Sequence, residues 1–324
     1  MSRYLVTGAA GFIASRVSRM LLDDGHTVVG VDNLDDAYDV RMKEQRLAQL
    51  QQQEDFKFLR LDISQKSTID TLANSGPFSA LYNLAARAGV RASVVDPWVY
   101  IGTNLTGTVN LLELCKLTGT PKYIMASTSS IYGEDAPIPT SESANSSLPL
   151  QPYAASKKGA EAMAHAYHYL NGIDVSILRY FTVYGPTNRP NMAIFRFIKW
   201  IIEGQPLQLN GDGTQTRGFT YLDDIAEGTI LAEKNLGYEI LNLGGHEVIS
   251  INGLIEMIEE IAGKKAMIER KPFPKADMRS NHADTSKAED LLGWKPKVAL
   301  REGLERTVGW YLENRSWTSQ IVTD

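Results

Sequence analysis

The chain has 324 residues, of which 43% are hydrophobic and 22% are charged, a composition typical of a globular protein with a sizeable core. A formal net charge of −5 gives no basic field for nucleic acid, so an anionic ligand must be met by local cations. The single cysteine, Cys115, excludes an intramolecular disulfide and fits a reducing compartment. No secretory signal or membrane-length apolar run is evident, so we expect a cytoplasmic protein.

The amino-terminal segment is predicted to form a strand, a glycine turn, a helix and a second strand. An apolar strand at 4–7 runs into Gly8-Ala-Ala-Gly11-Phe-Ile-Ala14, and apolar residues then recur at helical spacing until Gly25. The second strand, 27–31, ends at Asp32-Asn33. This arrangement is typical of a dinucleotide-binding unit.

Each position of this unit has a physical role. Gly8 permits the tight turn, and Gly11 allows backbone amides to approach a pyrophosphate at the helix N-terminus. Ala14 is small enough for close packing of the helix on the strand. Asp32 would accept hydrogen bonds from the ribose hydroxyls and repel a 2′-phosphate, which favours NAD over NADP. We also assign Phe12, Ile13 and Asn33 to the cofactor site.

Strands and helices continue to alternate through the middle of the chain. Strands are predicted at 56–61, 80–84, 123–127, 175–179 and 240–243, and helices at 40–53, 99–117 and 154–170. This order predicts an α/β fold of the Rossmann type, with a doubly wound parallel sheet. Ligands lie beyond the carboxyl ends of such strands, where Asp62, Ile63, Leu84, Ala85 and Ala86 stand. Asn104 could serve the cofactor site or be a polar residue on a helix face.

From residue 183 onward the alternation loosens, and a smaller substrate-binding lobe is predicted to interleave with the sheet domain. We assign residues 1–182 and about 219–248 to the NAD-binding domain, and about 183–218 and 249–324 to the smaller lobe. Asp224-Ile-Ala-Glu227 has the spacing of a capping box, so we interpret it as a helix start. The polar segment after Trp310 is predicted to fray.

No metal site is predicted. The five histidines, at positions 26, 165, 168, 246 and 282, are scattered, and no clustered carboxylates or cysteines accompany them. His165 and His168 are interpreted as solvent-facing helix residues.

A catalytic pair is suggested by Tyr153-Ala-Ala-Ser-Lys157. A tyrosine and a lysine four residues apart lie on one helix face, where the ammonium lowers the pKa of the phenol and makes it a usable base. Thr128, at a predicted strand end, could hydrogen-bond the same substrate oxygen. Alone, such a pair is more commonly a surface tyrosine beside a lysine.

Together with Asp62, Thr128 and the segment 179–186, the glycine turn and the Tyr153–Lys157 pair resemble the extended short-chain dehydrogenase/reductases that act on nucleotide sugars. The likeness extends to 217–224 and 283–287, and so covers nearly the whole chain. It implies bound NAD, a UDP-sugar substrate and Tyr153 as the base. Lys157 would tune that base and order the nicotinamide ribose, and Thr128 would hold the sugar oxygen. Tyr180 joins the cofactor site by the same resemblance.

The branch of this family is indicated by a few positions. Ser129 and Ser130 stand where the dehydratases and decarboxylases carry an acid, which favours epimerisation. Thr182 replaces the asparagine of most sugar epimerases, and Arg189, in an Arg-Pro-x-Met-Ala193 context, is similar to that of the UDP-glucuronate 4-epimerases. Arginine can bind a carboxylate through two parallel hydrogen bonds. Arg189 could instead pair with an acid on a turn.

We therefore expect C4 epimerisation of UDP-glucuronate to UDP-galacturonate, with Ser129, Ser130, Thr182, Arg189 and Ala193 around the sugar. Arg217 and Arg279 are expected to bind the diphosphate. The resemblance further implies a homodimer formed through a four-helix bundle, without a nucleic-acid or membrane partner. Two alternatives stay open: a 4-epimerase of neutral UDP-sugars, such as glucose/galactose or N-acetylhexosamines, and a catalytically silent NAD sensor.

Overall fold

The structure, a computed structural model, describes residues 1–245, 247–274 and 277–323. His246, one of the five histidines, lies outside the described residues. The first half of the chain forms, in order, β1 (Arg3–Thr7), α1 (Phe12–Asp23), β2 (Thr27–Asp32), α2 (Arg41–Leu50), β3 (Phe56–Arg60), α3 (Ser67–Ala73), β4 (Ala80–Asn83), α4 (Val90–Val95), α5 (Pro97–Tyr100), a π-helical segment (Ile101–Thr106), α6 (Gly107–Thr118), β5 (Lys122–Thr128), a 3₁₀ turn (Ser129–Tyr132) and α7 (Pro152–Asn171).

The second half forms β6 (Asp174–Tyr180), β7 (Thr182–Tyr184), α8 (Ala193–Glu203), β8 (Pro206–Asn210), β9 (Thr216–Tyr221), α9 (Leu222–Leu231), β10 (Tyr238–Leu243), β11 (Glu247–Ser250), α10 (Ile251–Ala262), β12 (Met267–Lys271), β13 (Ser280–Asn281), α11 (Ser286–Leu292), α12 (Leu300–Glu313) and α13 (Arg315–Thr318). The helix predicted at 99–117 is therefore several consecutive helical segments.

The predicted doubly wound sheet is confirmed. Seven strands pair in the order β10-β6-β5-β4-β1-β2-β3, and every pairing is parallel. Alternate residues of β1 enter opposite layers: Tyr4 and Val6 pack with the α1 and α9 side, whereas Leu5 packs with the α6 side. Side chains of the central strands alternate between two faces of the sheet, and both faces are buried. These strands are therefore apolar at nearly every position.

The smaller lobe has a core of its own, formed mainly by α8, α10 and α12. Its sheet joins β11, β9 and β13, with β7 also on β9, and β8 pairs with β12. Between β9 and β11 the chain returns to the large domain, where α9 packs on α1 and β10 joins the parallel sheet. β7 directly follows β6 of the large sheet, and its partner β9 leads directly into α9, so the smaller lobe lies beside the carboxyl ends of the parallel strands.

A helix does begin at this segment, as predicted, but not through a capping box. Helix α9 begins at Leu222, with Tyr221 as its N-cap, so Asp224 lies inside the first turn. Its buried carboxylate accepts a hydrogen bond from the Val298 backbone at 3.1 Å. Burial raises the pKa of Asp224 despite that bond.

The prediction of a fraying carboxyl terminus was also wrong. Ile321 is fully buried in the core of the smaller lobe. The Val322 amide donates to Asp39 at 2.9 Å, and Arg41 donates to the Gln320 carbonyl at 2.7 Å. The tail is therefore fixed against the loop that follows β2, by contacts between residues nearly 280 positions apart that no local pattern reveals.

Metal-ligating side chains do not cluster in the part of the chain that the structure describes. His165 is exposed on α7, as expected. His168 is half-buried instead, with Nδ1 2.8 Å from the Ile173 carbonyl oxygen, so its solvent-facing interpretation was wrong. Among the described helices, none combines the length and hydropathy needed to cross a bilayer.

Candidate active site

A cleft of about 750 Å³ opens at the carboxyl ends of the parallel strands and is lined by both lobes. Nearly all residues assigned from the sequence line it. On the cofactor side these are Gly8, Gly11, Phe12, Ile13, Asp32, Asn33, Asp62, Ile63, Leu84, Ala85, Ala86, Tyr153, Lys157 and Tyr180. On the substrate side they are Thr128, Ser129, Ser130, Thr182, Arg189, Ala193 and Arg217.

The glycine turn after β1 is too tightly packed for side chains at its two glycines. Gly8 has φ +71°, and a Cβ there would lie 2.8 Å from Ala85 Cα. At Gly11 a Cβ would lie 2.7 Å from the Gly8 carbonyl oxygen. Helix α1 follows without a side-chain cap on its first amides, so these donors and the helix dipole are available to a pyrophosphate.

Asp32 ends β2 at the edge of the cleft and is almost fully buried. Its carboxylate accepts from the Leu34 amide at 2.8 Å and from the Ala10 amide at 3.2 Å. These bonds fix a carboxylate where the adenosine ribose of a dinucleotide is expected. Asn33 donates to Asp62 at 3.2 Å. Burial raises the pKa of Asp62, but hydrogen bonds from Ser64 and Asn33 outweigh it and leave the pKa below its ordinary value.

Asn104 lies behind the wall of the cleft and does not line it. Its Oδ1 accepts from the Arg87 amide at 2.9 Å, and its Nδ2 donates to the Arg87 carbonyl at 3.0 Å and to Ser156 Oγ at 2.9 Å. The structure thus corrects both interpretations of this residue. It is neither a cofactor contact nor a surface residue, but a buried side chain that fastens the loop after β4 to α7.

Charged residues that the sequence did not assign individually join the loops around the turn. Arg87, after β4, forms an ion pair with Asp35, after β2, and Lys43 Nζ lies 3.5 Å from Asp35 Oδ1. Because β2 and β4 flank β1, the pair spans the end of β1. Only the proximity of these loops in space shows the ion pair.

The catalytic candidates meet where β5 ends and α7 begins. Thr128 is the last residue of β5, beside Tyr180 of β6. Tyr153 and Lys157 lie one turn apart near the N-terminus of α7, whose first residue is Pro152. The pairing of β5 with β6 and the packing of α7 on both strands therefore bring the three side chains to one wall of the cleft.

Burial has the largest effect on the pKa values of Lys157 and Tyr153. It lowers the pKa of Lys157 to about 8, and the Lys157 ammonium has no hydrogen-bond partner among the described residues. Burial also raises the pKa of Tyr153, although Thr128 and the positive charge of Arg189 lower it. The expectation that the lysine lowers the phenol pKa is thus corrected for the protein alone, where Arg189 is the cation that does so.

A buried ion pair fixes α7 on the sheet. Arg179 of β6 donates to both carboxylate oxygens of Glu161, at 3.0 and 2.8 Å. Ser127 of β5 donates to the same carboxylate at 2.7 Å. Burial alone would raise the pKa of Glu161 and lower that of Arg179, but their bidentate contact outweighs it and shifts both pKa values the opposite way.

Arg189 lies in the turn between β7 and α8. Its Nη2 contacts the Met192 sulfur at 3.1 Å, and no ion pair among the described residues includes it. The alternative of an acid on the turn is therefore excluded within the described ranges. Arg46 fixes the preceding loop, since it donates to the Thr187 carbonyl at 2.6 Å and to the Ala10 carbonyl of the glycine turn at 3.0 Å.

Of the two arginines expected at the diphosphate, only Arg217 lines the cleft. Its guanidinium donates to the Met278 carbonyl at 2.6 Å, and burial lowers its pKa. The assignment of Arg279 is corrected: its exposed side chain lies over the Phe273 ring, 5.3 Å from the centroid, outside the cleft lining. Its backbone carbonyl instead accepts from Arg217.

The sequence analysis did not assign several further residues that line the cleft, because they come from separate segments that meet only in the folded chain. They include Arg87, Arg91, Asn188, Asp277 and Asn281. Arg91 and Asp277 form an ion pair from opposite lobes.

Comparison with known proteins agrees with this geometry. Residues 4–244 match the model of the NAD dependent epimerase/dehydratase family. The chain belongs to that family. Among similar family members, a UDP-glucuronate 4-epimerase of Thermodesulfobacterium geofontis is 55% identical over 315 residues, which cover 97% of each chain. A probable UDP-glucuronate 4-epimerase of Rhizobium meliloti is 36% identical over 96% of this chain and 97% of its own.

Solved structures of family members share the fold. The UDP-glucuronic acid 4-epimerase from Bacillus cereus, in complex with UDP-glucuronic acid and NAD, superposes with a TM-score of 0.91 at 40% identity, over 96% of this chain and 99% of its own. A UDP-glucose 4-epimerase from Thermotoga maritima, with UDP-glucose, gives a TM-score of 0.90 at 31% identity, over 97% and 99%.

The residues present fit NAD, the cofactor of this family. The uncapped start of α1 after the glycine turn offers amide donors for the pyrophosphate, Asp32 offers a fixed ribose acceptor, and the unpartnered ammonium of Lys157 requires an acceptor inside the cleft. A ribose hydroxyl supplies such an acceptor.

The glycine turn can be tested by substitution. We expect Gly8→Ala to weaken NAD binding at least roughly tenfold, because a side chain there strains the backbone and meets Ala85. Isothermal titration of the protein freed of NAD measures this. Gly309→Ala is the matched control: its Cβ meets nothing within 4 Å in α12, so it should bind NAD as the wild type does. Equal affinities for all three proteins would contradict the assignment of the turn.

Proposed function

We propose that this chain is an NAD-dependent 4-epimerase that interconverts UDP-glucuronate and UDP-galacturonate. The observation that carries the proposal is Arg189, a cleft-lining guanidinium that no acid of the described residues neutralises, on the same cleft as Ser129 and Thr182. A cation and hydroxyl donors suit a carboxylate, which a neutral hexose lacks. The similarity to UDP-glucuronate 4-epimerases over nearly the whole chain supports the same substrate.

The chain's own groups can perform the proton transfers. Tyr153 and Thr128 lie on the same wall of the cleft, so both can contact the C4 oxygen. The phenolate takes the proton of the C4 hydroxyl as the base, and the phenol returns it to the C4 oxygen after inversion. When bound, NAD supplies the acceptor and donor of the C4 hydride. Its positive charge adds to that of Arg189 and favours the phenolate.

The carboxylate site also protects the substrate. Oxidation at C4 makes the hexuronate a β-keto acid, which loses carbon dioxide most readily when the C5–C6 bond is perpendicular to the ketone plane. Hydrogen bonds from Arg189 and the neighbouring hydroxyls of Ser129, Ser130 and Thr182 would hold the carboxylate so that this bond stays near the plane. Ser129 and Ser130 are also not acids, so elimination lacks a proton donor at these positions.

A neutral UDP-sugar 4-epimerase is the second candidate, favoured by the structural similarity to the UDP-glucose 4-epimerase. Proton NMR of the products of UDP-glucuronate, UDP-glucose and UDP-N-acetylglucosamine separates the two, with and without added NAD. We expect UDP-galacturonate from the first sugar. Conversion of the neutral sugars alone would contradict the proposal.

The same assay tests whether the chain is an enzyme or a silent sensor. We expect Tyr153→Phe to lower turnover by roughly 10²- to 10⁴-fold, because the phenol oxygen transfers the proton. Tyr169→Phe is the matched control on the same helix, since Tyr169 is exposed, and should retain full activity. Undiminished turnover in Tyr153→Phe would exclude that tyrosine as the base.

Arg189 should influence both binding and ionisation. We expect Arg189→Ala to lower kcat/KM for UDP-glucuronate, because the carboxylate loses a charged partner. The decrease should correspond to a loss of ~2 to 4 kcal/mol of transition-state stabilisation. Since Arg189 lowers the pKa of Tyr153, its removal raises that pKa. The ascending limb of the kcat–pH profile should therefore move to higher pH.

Arg189→Lys separates the two effects. It keeps the positive charge, so the pH profile should stay near that of the wild type, but it cannot form the bidentate contact and should still weaken substrate binding. Unchanged kinetics in Arg189→Ala would remove the residue from the carboxylate site.

We further propose that the chain forms a homodimer through a four-helix bundle. The resemblance assigns the bundle to the helices at 99–117 and 154–170, and exposed apolar side chains on or beside them support it, among them Trp98, Ile101 and Leu170. Trp98→Glu should give a monomer by light scattering after gel filtration. Met267→Glu, on exposed β12, should not change the mass. A wild-type monomer would contradict the proposal.

A cytoplasmic location is proposed as well. It is supported by the single cysteine, Cys115, which leaves the chain without an intramolecular disulfide, as is usual in a reducing compartment.

A further inference from the structure

A hydrogen bond joins the two lobes inside the cleft. Asn281, in the short strand β13 of the smaller lobe, donates from Nδ2 to Ser129 Oγ at 2.9 Å. Both residues line the cleft, and Ser129 is in the turn directly after Thr128. The contact therefore reaches from the smaller lobe to the wall that carries the catalytic candidates.

The backbone of Asn281 is fixed from both sides. In the parallel pairing of β13 with β9, Asn281 stands opposite Arg217, which also lines the cleft. The preceding residue, Ser280, shares a hydrogen bond of 2.7 Å with Thr216, and the carbonyl of the following residue, His282, accepts from Thr140 at 2.8 Å. The side-chain amide of Asn281 is therefore held within hydrogen-bonding distance of Ser129.

This contact determines which way the Ser129 hydroxyl can donate. A serine hydroxyl has one proton and two lone pairs. The Asn281 amide occupies one lone pair, so the proton must point elsewhere. Ser129 is buried except toward the cleft, and among the described residues its hydroxyl donates no hydrogen bond. The free proton is therefore available to a group in the cleft.

We propose that Asn281 is a positioning residue that orients the Ser129 hydroxyl as a donor toward the substrate carboxylate. The inference rests on the proposed function. An ionised carboxylate only accepts hydrogen bonds, so it matches a hydroxyl whose proton is directed into the cleft. A hydroxymethyl group both donates and accepts, so it gains less from that orientation. Asn281 would contribute to uronate preference without contacting the sugar.

A double-mutant cycle tests whether Asn281 acts through Ser129. We expect Asn281→Ala to lower kcat/KM for UDP-glucuronate by roughly 10- to 100-fold, the effect of weakening a hydrogen bond to a charged group. In the Ser129→Ala background the same substitution should change kcat/KM less than about twofold. The affinity for UDP alone, measured by titration calorimetry, should be unchanged in every variant, because the nucleotide does not use this hydroxyl.

Two further variants sharpen the test. Ser286→Ala removes an exposed hydrogen bond to Asp284 outside the cleft lining, and should leave kcat/KM within about twofold of the wild type. Asn281→Asp replaces the donor with an acceptor, which takes the Ser129 proton for itself, and should reduce turnover at least as far as Asn281→Ala.

The outcomes distinguish this inference from the proposed function. If the wild type leaves UDP-glucuronate unconverted, the proposed function is wrong, and the inference with it. If the wild type is active and Asn281→Ala equals it, the inference alone is wrong. Equal losses from Asn281→Ala in both backgrounds would overturn it too, because Asn281 would then act independently of Ser129.

Discussion

The active-site geometry depends on the buried ion pair between Glu161 and Arg179. It joins α7 to β6 by two parallel hydrogen bonds and to β5 through Ser127. The helix that carries Tyr153 and Lys157 is thereby held in one position relative to Thr128, which ends β5. Removing one partner of such a pair leaves a buried charge and costs ~3 to 5 kcal/mol. Glu161 lies one helical turn after Lys157 and two turns after Tyr153. The ion pair therefore fixes both side chains from outside the cleft lining.

Charge is the second constraint. Burial disfavours both the phenolate of Tyr153 and the ammonium of Lys157, so the protein alone does not favour the ionised base. Arg189 supplies part of the compensating positive charge, and a cationic cofactor ring would supply more. The base is therefore favoured only when the cleft is filled. If Arg189 binds the substrate carboxylate as proposed, one residue would serve both substrate recognition and ionisation of the phenol.

Local patterns in the sequence were enough to predict the parallel sheet, the glycine turn, Asp32 and the Tyr153–Lys157 pair, because each depends on spacing within one or two elements. Features that depend on distant contacts were missed or wrong. Arg279 was assigned to the cleft, but its side chain, just before β13, lies over the Phe273 ring instead. Asn104 proved to be a clamp on the loop after β4. The hydrogen bond of Asn281 to Ser129 joins residues 152 positions apart, beyond any periodicity.

The central claim is that C4 is oxidised and reduced within one closed cleft while the carboxylate is retained. The most direct measurement uses UDP-glucuronate labelled with deuterium at C4 and follows the products by proton NMR. The account predicts UDP-galacturonate that keeps both the C4 deuterium and the carboxylate, because the same hydride equivalent returns to the opposite face. Product with a solvent proton at C4, or a UDP-pentose formed by loss of carbon dioxide, would contradict it.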